Sequence, residues 1–577
     1  MTYTQATRVF EVDTPLGKDV LLLRAFSGTE AISQLFSFEL DMLSENDAIS
    51  YDSIVGKNVT IRITLADESD RYLNGFISQF VQRGRDTNLT AYHATMVPWF
   101  WFLSQTTDCR IFQNKKVPDI ITQVFGEYGF TDFEVRLFGS YSPREYCVQY
   151  RETDCHFLSR LMEEEGIFYF FEHQAGKHVL VMGDDVGSHK VCPNQATAKC
   201  DLPTVYVRSE DRITGWEDHE NYRPGVVTHT DYNFEMPTTS LMATAKGKQK
   251  YEKYDYPGEY KTKGDGDRLA RIRLQEQQMP QAVIRGRSDC RAFGAGYHFT
   301  LEDHYRGDLN KDYLLTAVSH TAIQNPNYRS GTGGAETEYS NSFQCIPYAT
   351  PFRPMRTNLI PVVGGPQTAM VVGPPGEEIF TDKYGRVKVQ FYWDREGKFN
   401  DNSSCWIRVS QPWAGKTWGG IEIPRIGQEV VVDFLEGDPD RPLITGRVYN
   451  QGQMPPWALP AKKNVSGVKS NSTKGGGGYN ELSFDDTKGS EVVTVHAQRD
   501  MNTKVENNVT ITVLGLHHES VKKEIVVKSD DQIYMEAKTH ITLKVGDSLL
   551  YMDNAGNIKL EGKSILIQGS NIVAINP

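Results

Sequence analysis

The sequence predicts a mainly β protein with three consecutive parts: an N-terminal body with a few helices, a small barrel, and a C-terminal prism of stacked strands. Apolar and polar residues alternate in segments of the first part such as 59–65 and 179–185. Short strand-like segments separated by Gly, Pro and Asp turns fill residues 382–450. After Val493 an apolar side chain returns every eight residues.

Composition limits the classes of function. A chain of 577 residues with 39% hydrophobic and 24% charged residues is long enough for several domains with apolar cores. The net charge of −12, without a Lys/Arg-rich run, argues against a nucleic-acid partner. Eight cysteines without a Cys-x-x-Cys pair indicate a reducing compartment. The N-terminus shows no secretion-signal pattern, so we expect cytoplasmic synthesis and export, if any, by another route.

Three segments of the body have helical patterns. In residues 117–129, Pro118 suits a first helical turn and an apolar stripe follows it. In residues 153–166, Thr153 or Asp154 is the expected N-cap, and Gly166 is the expected end. The third segment is 266–278. We therefore expect helices packed on the sheets of a body that spans residues 1–365.

The barrel follows a change in composition. Residues 353–378 are rich in Pro and Gly and are expected to form an extended connector. The next strands are short and carry five of the eight tryptophans: Trp393, Trp406, Trp413, Trp418 and Trp457. A small aromatic-rich unit of five or six strands suits a barrel of the oligonucleotide-binding (OB) type over residues 366–457. This fold does not imply nucleic-acid binding.

The repeat begins after a linker over residues 458–480, which contains four consecutive glycines. A second row two residues on from each repeat position places both side chains on one face of a strand. No proline occurs between Pro460 and Pro577, as expected where backbone N–H groups enter ladders. The inward row of the predicted prism over residues 481–577 is Val493, Met501, Val509, Ile525, Ile533, Ile541, Leu549, Ile558, Ile565 and Ile572.

The number of chains in the prism follows from the period. A single-chain β-helix has three sides per coil and usually shows a period of 18 to 24 residues, whereas here the period of eight has no stronger multiple. Three intertwined chains make every octad equivalent and leave few strand edges exposed. We therefore predict a three-chain needle.

His517 interrupts the inward row. One interpretation is a bulge that turns His517 to solvent. In the other, three His517 rings face one another on the axis and hold a metal ion or an anion. The sequence leaves both open.

The motifs of catalytic sites are absent. Glu163, Glu164 and Glu165 are consecutive on a helix and point in different directions, so they are expected to be structural acids on a solvated face. We find no His-Glu-x-x-His, no Gly-x-Ser-x-Gly, no phosphate-binding loop and no calcium-binding nonapeptide. The sequence thus predicts neither an enzyme nor a cofactor.

The segment from Asp382 to Asn450 resembles the OB-type domain of VgrG proteins, the spikes of bacterial type VI secretion systems and relatives of contractile phage tail spikes. Further matches are residues 153–171, the YDYPGEY loop at 254–260, ARIRLQEQQ at 270–278, and NELSFDDTKGSE at 480–491. The resemblance implies a phage-hub-like β-barrel body, an OB-type neck and a trimeric β-prism needle.

The resemblance also implies partners. The homotrimer would sit on a tube of Hcp, act with baseplate, effector or adaptor proteins, puncture a target membrane, and leave a Gram-negative cell by type VI secretion. A PAAR-repeat protein would cap the tip residues Gly569, Ser570, Asn571, Ile572, Val573, Ala574, Ile575, Asn576 and Pro577. The alternatives are a spike-borne peptidoglycan hydrolase and an adhesin or tail-fibre stalk. The two dozen residues between barrel and needle are too few for an enzyme domain such as phage relatives carry.

Overall fold

The computed structural model describes residues 3–86, 88–200, 210–324, 328 and 338–574. The chain forms two compact units, residues 1–496 and residues 497–577.

The body consists of helices packed against sheets. Its α-helices are α1 Val117–Glu127, α2 Asp154–Glu165 and α3 Lys263–Gln278. Its short 3₁₀ turns are Tyr51–Ser53, Trp99–Gln105, Val186–Ser188 and Gly307–Leu309. Its strands β1 to β20 are, in order, Phe10–Asp13, Leu22–Ala31, Ser37–Ser44, Asn58–Thr64, Asp70–Arg85, Thr90–Val97, Asp108–Phe112, Phe133–Arg136, Cys147–Glu152, Phe168–Gln174, Lys177–Gly183, Thr197–Lys199, Ile213–Glu220, Val226–His229, Ala243–Lys246, Glu252–Asp255, Ala282–Ser288, His298–Glu302, Asp312–Ile323 and Glu338–Pro347.

One sheet of twelve strands organises the body. Its main path is β1-β4-β5-β6-β3-β2-β19-β20-β17-β13, with β18 paired to β19 and β12 paired to β18. The antiparallel pairing of β2 with β19 aligns Ala31 with Ala317, so early and late parts of the chain lie side by side. Smaller sheets are β10-β11-β8, β15-β14-β16 and β7-β9.

The predicted helices are confirmed. In α1 the apolar stripe is buried, and Pro118 lies in the first turn. In α2 the Thr153 hydroxyl accepts a hydrogen bond from the backbone N–H of His156, and Gly166 ends the helix at φ 72°, a conformation that glycine adopts without steric cost. The third helix starts three residues before the predicted segment, because Thr262 caps it by accepting a hydrogen bond from the backbone N–H of Asp265.

The barrel strands β21 to β27 are Gln367–Val372, Lys388–Phe391, Arg408–Val409, Trp413–Ala414, Gly419–Gly420, Glu429–Phe434 and Pro442–Val448, with a 3₁₀ turn at Leu435–Gly437. Five of them form one sheet in the order β22-β21-β26-β27-β23. The prediction of an extended connector over 353–378 is wrong for residues 367–372, because Ala369 and Val371 are buried in the barrel core and draw this segment into the sheet.

Polar contacts join body and barrel within the first unit. The backbone N–H of Val148 donates to the Asp440 carboxylate at 2.6 Å, and the Gln367 amide donates to the Tyr150 hydroxyl at 2.8 Å. The Arg386 guanidinium lies 5.2 Å from the centre of the Phe234 ring. These contacts hold the barrel against the body.

Six strands follow the barrel. β28 Val465–Lys469, β29 Glu481–Asp485 and β30 Val492–His496 form an antiparallel sheet that ends the first unit. β31 His540–Val545, β32 Ser548–Asp553 and β33 Ile558–Glu561 form another antiparallel sheet in the second unit.

Candidate functional site

The first candidate surface is one face of the β28-β29-β30 sheet, which we call the entrance face. It consists of the side chains Val468, Leu482, Phe484, Val493 and Val495. Leu482 is paired with both Val468 and Val495, and Phe484 is paired with Val493, so the five side chains alternate onto the same side of the sheet. All five are exposed, Val493 at 64% of its surface. A contiguous apolar face of this kind marks an interaction surface.

The entrance face extends the predicted inward row toward the barrel. The octad period predicts a row that begins at Val493 and does not include Val468, Leu482 and Phe484. Alternation in the segment 481–485 is the signal that identifies Leu482 and Phe484, whereas the segment 465–469 does not alternate and gives no such signal for Val468. The apolar row thus begins at β28 Val465–Lys469, a strand that lies inside the predicted linker 458–480.

The middle of the predicted needle, residues 497–539, forms no strand in this chain. The row residues Met501, Val509, Ile525 and Ile533 are 54 to 67% exposed. Residues of the second row, such as Ile511, are exposed as well. A strand of an intertwined prism has its hydrogen-bond partners in other chains, so a lone chain lacks its ladder.

The β31-β32-β33 sheet also carries one apolar face. Ile541 pairs with Met552, Leu543 with Leu550, and both partners pair onward with Ile558 and Leu560. These six side chains share one side of the sheet. Ile541 and Ile558 therefore lie on a common apolar face, as the inward row requires.

Leu549 departs from the predicted row within this sheet. It pairs with Lys544 and Glu561, on the side opposite Ile541, and Leu550 takes the apolar side instead. The cause is the two-residue turn at Gly546 and Asp547, where Gly546 has φ 53° and fixes the register Val545 to Ser548. In this hairpin the row shifts by one residue.

The end of the row lies beyond the last strand. Ile565 is 51% and Ile572 83% exposed, and neither is in a strand. Of the predicted tip residues, Gly569, Ser570, Asn571, Val573 and Ala574 are exposed, whereas Ile575, Asn576 and Pro577 lie outside the described residues.

His517 is exposed and lies outside any strand. Its neighbours Leu514 and Leu516 are fully or largely exposed, at 100% and 84%. Within the part of the chain that the structure describes, no group of three or more His, Cys, Asp or Glu side chains is placed to hold a metal ion. An axial site would need three copies of His517, so both interpretations of this residue stay predictions.

The prediction of a solvated face for Glu163, Glu164 and Glu165 is wrong, because all three side chains are buried. Basic side chains and capping donors from distant segments surround them. Glu164 pairs with Arg144 at 2.6 Å and Glu165 with Arg268 at 2.7 Å. The further partners are Arg160, Thr357 and Asn358. The three carboxylates are nevertheless structural, as expected, since each is held by fixed donors.

Among the described helices, none combines the length and the apolar character needed to cross a membrane.

Three family models match successive parts of the chain. Residues 29–326 match the phage tail baseplate hub (GPD), residues 380–449 the type VI secretion system/phage-baseplate injector OB domain, and residues 466–564 the bacteriophage T4 gp5 C-terminal trimerisation domain. The third match covers both strand sheets that carry exposed apolar faces.

Named relatives match most of the chain. The type VI secretion system spike protein VgrG1b of Pseudomonas aeruginosa is 45% identical over 517 residues, which are 88% of this chain and 70% of that protein. VgrG1a of the same organism is 45% identical over 516 residues, 88% of this chain and 80% of that protein.

Solved structures share the fold. The E. coli c3393 protein, a component of the type VI secretion system, aligns with a TM-score of 0.56 at 22% identity over 76% of this chain and 100% of its own. A chain of the half-lidded Francisella PdpA-VgrG complex aligns with a TM-score of 0.53 at 9% identity over 96% of this chain and 88% of its own.

Proposed function

The chain belongs to the VgrG family of type VI secretion spike proteins, and from this premise we propose that three copies of it assemble into a spike with a C-terminal needle. The observation that carries the proposal is the exposure of the apolar side chains of the entrance face and of Met501, Val509, Ile525, Ile533 and Ile558. Apolar side chains exposed in such number need a partner to cover them.

Three copies of the same chain cover this surface with the fewest assumptions. Burying a Val, Ile or Leu side chain contributes roughly 1.5–3 kcal/mol relative to leaving it in water. The octad period gives each chain one strand for each face of a three-sided prism, so the rows meet on one axis. The match of residues 466–564 to a trimerisation domain supports the same number of chains.

The domain boundaries belong to this proposal. We assign the phage-hub-like body to residues 1–365, the OB-type neck to 366–457, the linker to 458–480 and the needle to 481–577. The family matches at 29–326 and 380–449 lie within the assigned body and neck, whereas the match at 466–564 begins inside the assigned linker.

The action of the spike would be mechanical. Its body would seat on the Hcp tube, and a PAAR-repeat protein would cap residues 569–577. Contraction of a sheath would then drive the spike, with any attached effectors or adaptors, through a target envelope. A needle in which every strand is paired and the axis is dry is stiff enough for this role. Assembly in the cytoplasm and secretion by the type VI system itself complete the proposal.

We assign the chain no catalytic activity. The sequence carries no catalytic motif, and its relatives are named spike proteins. A peptidoglycan hydrolase would release soluble fragments from purified cell wall, and an adhesin stalk would bind target cells without a contractile apparatus. Either result would replace the proposal.

The mass of the purified protein under native conditions tests the assembly. The proposal expects three times the 65.2 kDa mass of one chain. Co-purification with Hcp and with a PAAR-repeat protein tests the two ends separately. A stable monomer at micromolar concentration would refute the trimer.

A further inference from the structure

A cavity of about 570 Å³ lies inside the first unit, where the body meets the barrel. Its wall combines the segment 142–146, the part of the body around β14, β16 and α3, and the barrel loop 438–441. The YDYPGEY loop forms part of this wall. That loop is one of the segments that resemble the VgrG family, and it lies outside the needle.

The wall presents carboxylates without cationic partners. Glu259, Asp438 and Asp440 form no salt bridge within the described residues. Asp438 accepts a hydrogen bond from the backbone N–H of Asp440 at 2.9 Å, and Asp440 accepts one from the backbone N–H of Val148. Removal from bulk water and the negative charges of Glu164 and Asp438 raise the pKa of Glu259 to about 7.

Most basic side chains of the wall already form salt bridges with acidic side chains of the chain. Arg144 binds Glu164 and Glu165, Arg268 binds Glu165, and Arg441 lies 3.3 Å from Asp231. The other pairs are Lys261 with Glu145, and Arg273 and Arg356 with Glu276. Of the wall's basic residues, only Lys253 has no salt bridge among the described residues. The unpaired acids are Asp255, Glu259, Asp265, Asp438 and Asp440. Acidic side chains therefore outnumber basic ones on the wall.

Two uncharged side chains on the wall each have an oxygen without a hydrogen-bond partner. The Tyr146 hydroxyl and the Gln277 amide oxygen are buried without a partner, and each residue exposes only 7% of its surface. Both oxygens accept hydrogen bonds, so each is suited to a donor supplied by a ligand. The Nη1 atom of Arg441 is also unpartnered, which leaves room for one ligand or water oxygen.

We propose that this cavity binds a small organic cation with several ammonium groups, of the polyamine class. Ammonium groups supply the N–H donors that the carboxylates and the two orphaned oxygens lack. The carbon chain would pack against Leu269 and the rings of Tyr254 and Tyr260. A metal ion does not fit, because no three acidic, His or Cys side chains of the described residues converge to coordination distance. The volume is in the range of small-molecule sites.

The test is titration of the native full-length protein with spermidine by isothermal calorimetry. The proposal expects saturable binding of one spermidine per chain. Glu259→Gln and Asp438→Asn should each weaken binding at least tenfold. The control Glu217→Gln, an exposed acid on β13, should bind as the wild type does. Thermal unfolding of each variant shows that it is folded, and spermidine should raise the unfolding temperature of the wild type but not of Glu259→Gln.

Further measurements distinguish spermidine binding in this cavity from charge screening and from binding of a protein side chain. Mg²⁺ at equal ionic strength should leave spermidine binding in place; complete displacement by Mg²⁺ would mean charge screening and would overturn the proposal. Binding of a tri-lysine peptide without binding of spermidine would assign the cavity to a protein side chain and overturn it too. Absence of spermidine binding would also overturn the proposal. So would an equal loss of spermidine affinity in the Glu217→Gln and Glu259→Gln variants relative to the wild type. None of these outcomes depends on whether the needle is trimeric.

Discussion

Replacing Ile533 with aspartate tests the inward row at its centre. Ile533 is 54% exposed in the single chain, and the trimer places three copies of it at one level of the axis. The change would remove an apolar contact from each chain and bring three carboxylates together in a dry environment.

The expected loss of free energy of trimer association is large compared with the stability of most assemblies. Full burial of an isoleucine contributes roughly 1.5–3 kcal/mol, so the half still exposed is worth about 1 kcal/mol per chain. Unit charges about 6 Å apart repel by about 3 kcal/mol per pair at an effective dielectric constant of about 20. Protonation of the aspartates would relieve part of this repulsion but leaves buried polar groups unpaired. A penalty on the order of 10 kcal/mol per trimer follows, and each 1.4 kcal/mol is tenfold in the equilibrium constant.

Native mass spectrometry of matched variants measures the effect. Ile533→Asp should shift the protein from trimer to monomer and abolish its secretion. Tyr534→Asp adds the same charge at the next residue, which an alternating strand directs outward, and should leave the trimer intact. A stable Ile533→Asp trimer, or equal disruption by Tyr534→Asp, would refute the inward assignment.

Three further outcomes are expected. Glu30→Gln should destabilise the body by about 3–5 kcal/mol in unfolding experiments, since buried Arg71, 2.8 Å from Glu30, loses its counter-charge; the half-exposed Glu39→Gln control should cost less than about 1 kcal/mol. Burial lowers the pKa of the His173 imidazole to about 4, below its value of about 6.5 in the unfolded chain. As the pH falls, the unfolded chain therefore binds a proton at this residue before the folded chain does, and the free energy of unfolding decreases by about 3 kcal/mol from pH 7 to pH 4. The thermal midpoint of His173→Gln should vary less over this range; an equal slope would contradict the reasoning. Ile572→Asp should abolish co-purification with a PAAR-repeat protein while Lys563→Asp retains it, and retention by both would remove Ile572 from the tip contact.

The helices of the body could be predicted because their signals are local. The cap at Thr153, the apolar stripe of α2 and the end at Gly166 lie within fourteen residues. The twelve-stranded sheet could not be predicted in the same way. Its pairing of β2 with β19 joins segments nearly 300 residues apart, and alternation along a strand does not identify its partner.

The environment of Glu164 illustrates the same limit at the level of one side chain. Position on a helix says which way a glutamate points, but Arg144, which covers it, comes from another segment. The cavity wall is likewise formed by separate segments of the body and the barrel, so no local sequence pattern predicts it. Leu549 shows a third limit of sequence-based prediction. The octad period places Leu549 in the inward row, but the two-residue turn before it shifts the row by one residue, to Leu550.

Electron microscopy of the purified particle is the most direct test of the three-chain needle. The account predicts a three-fold particle with a protruding rod on the order of 50 Å, from about eleven stacked strands per face at about 4.8 Å each. A particle without three-fold symmetry, or a three-fold body whose C-terminal residues form no rod, would contradict it.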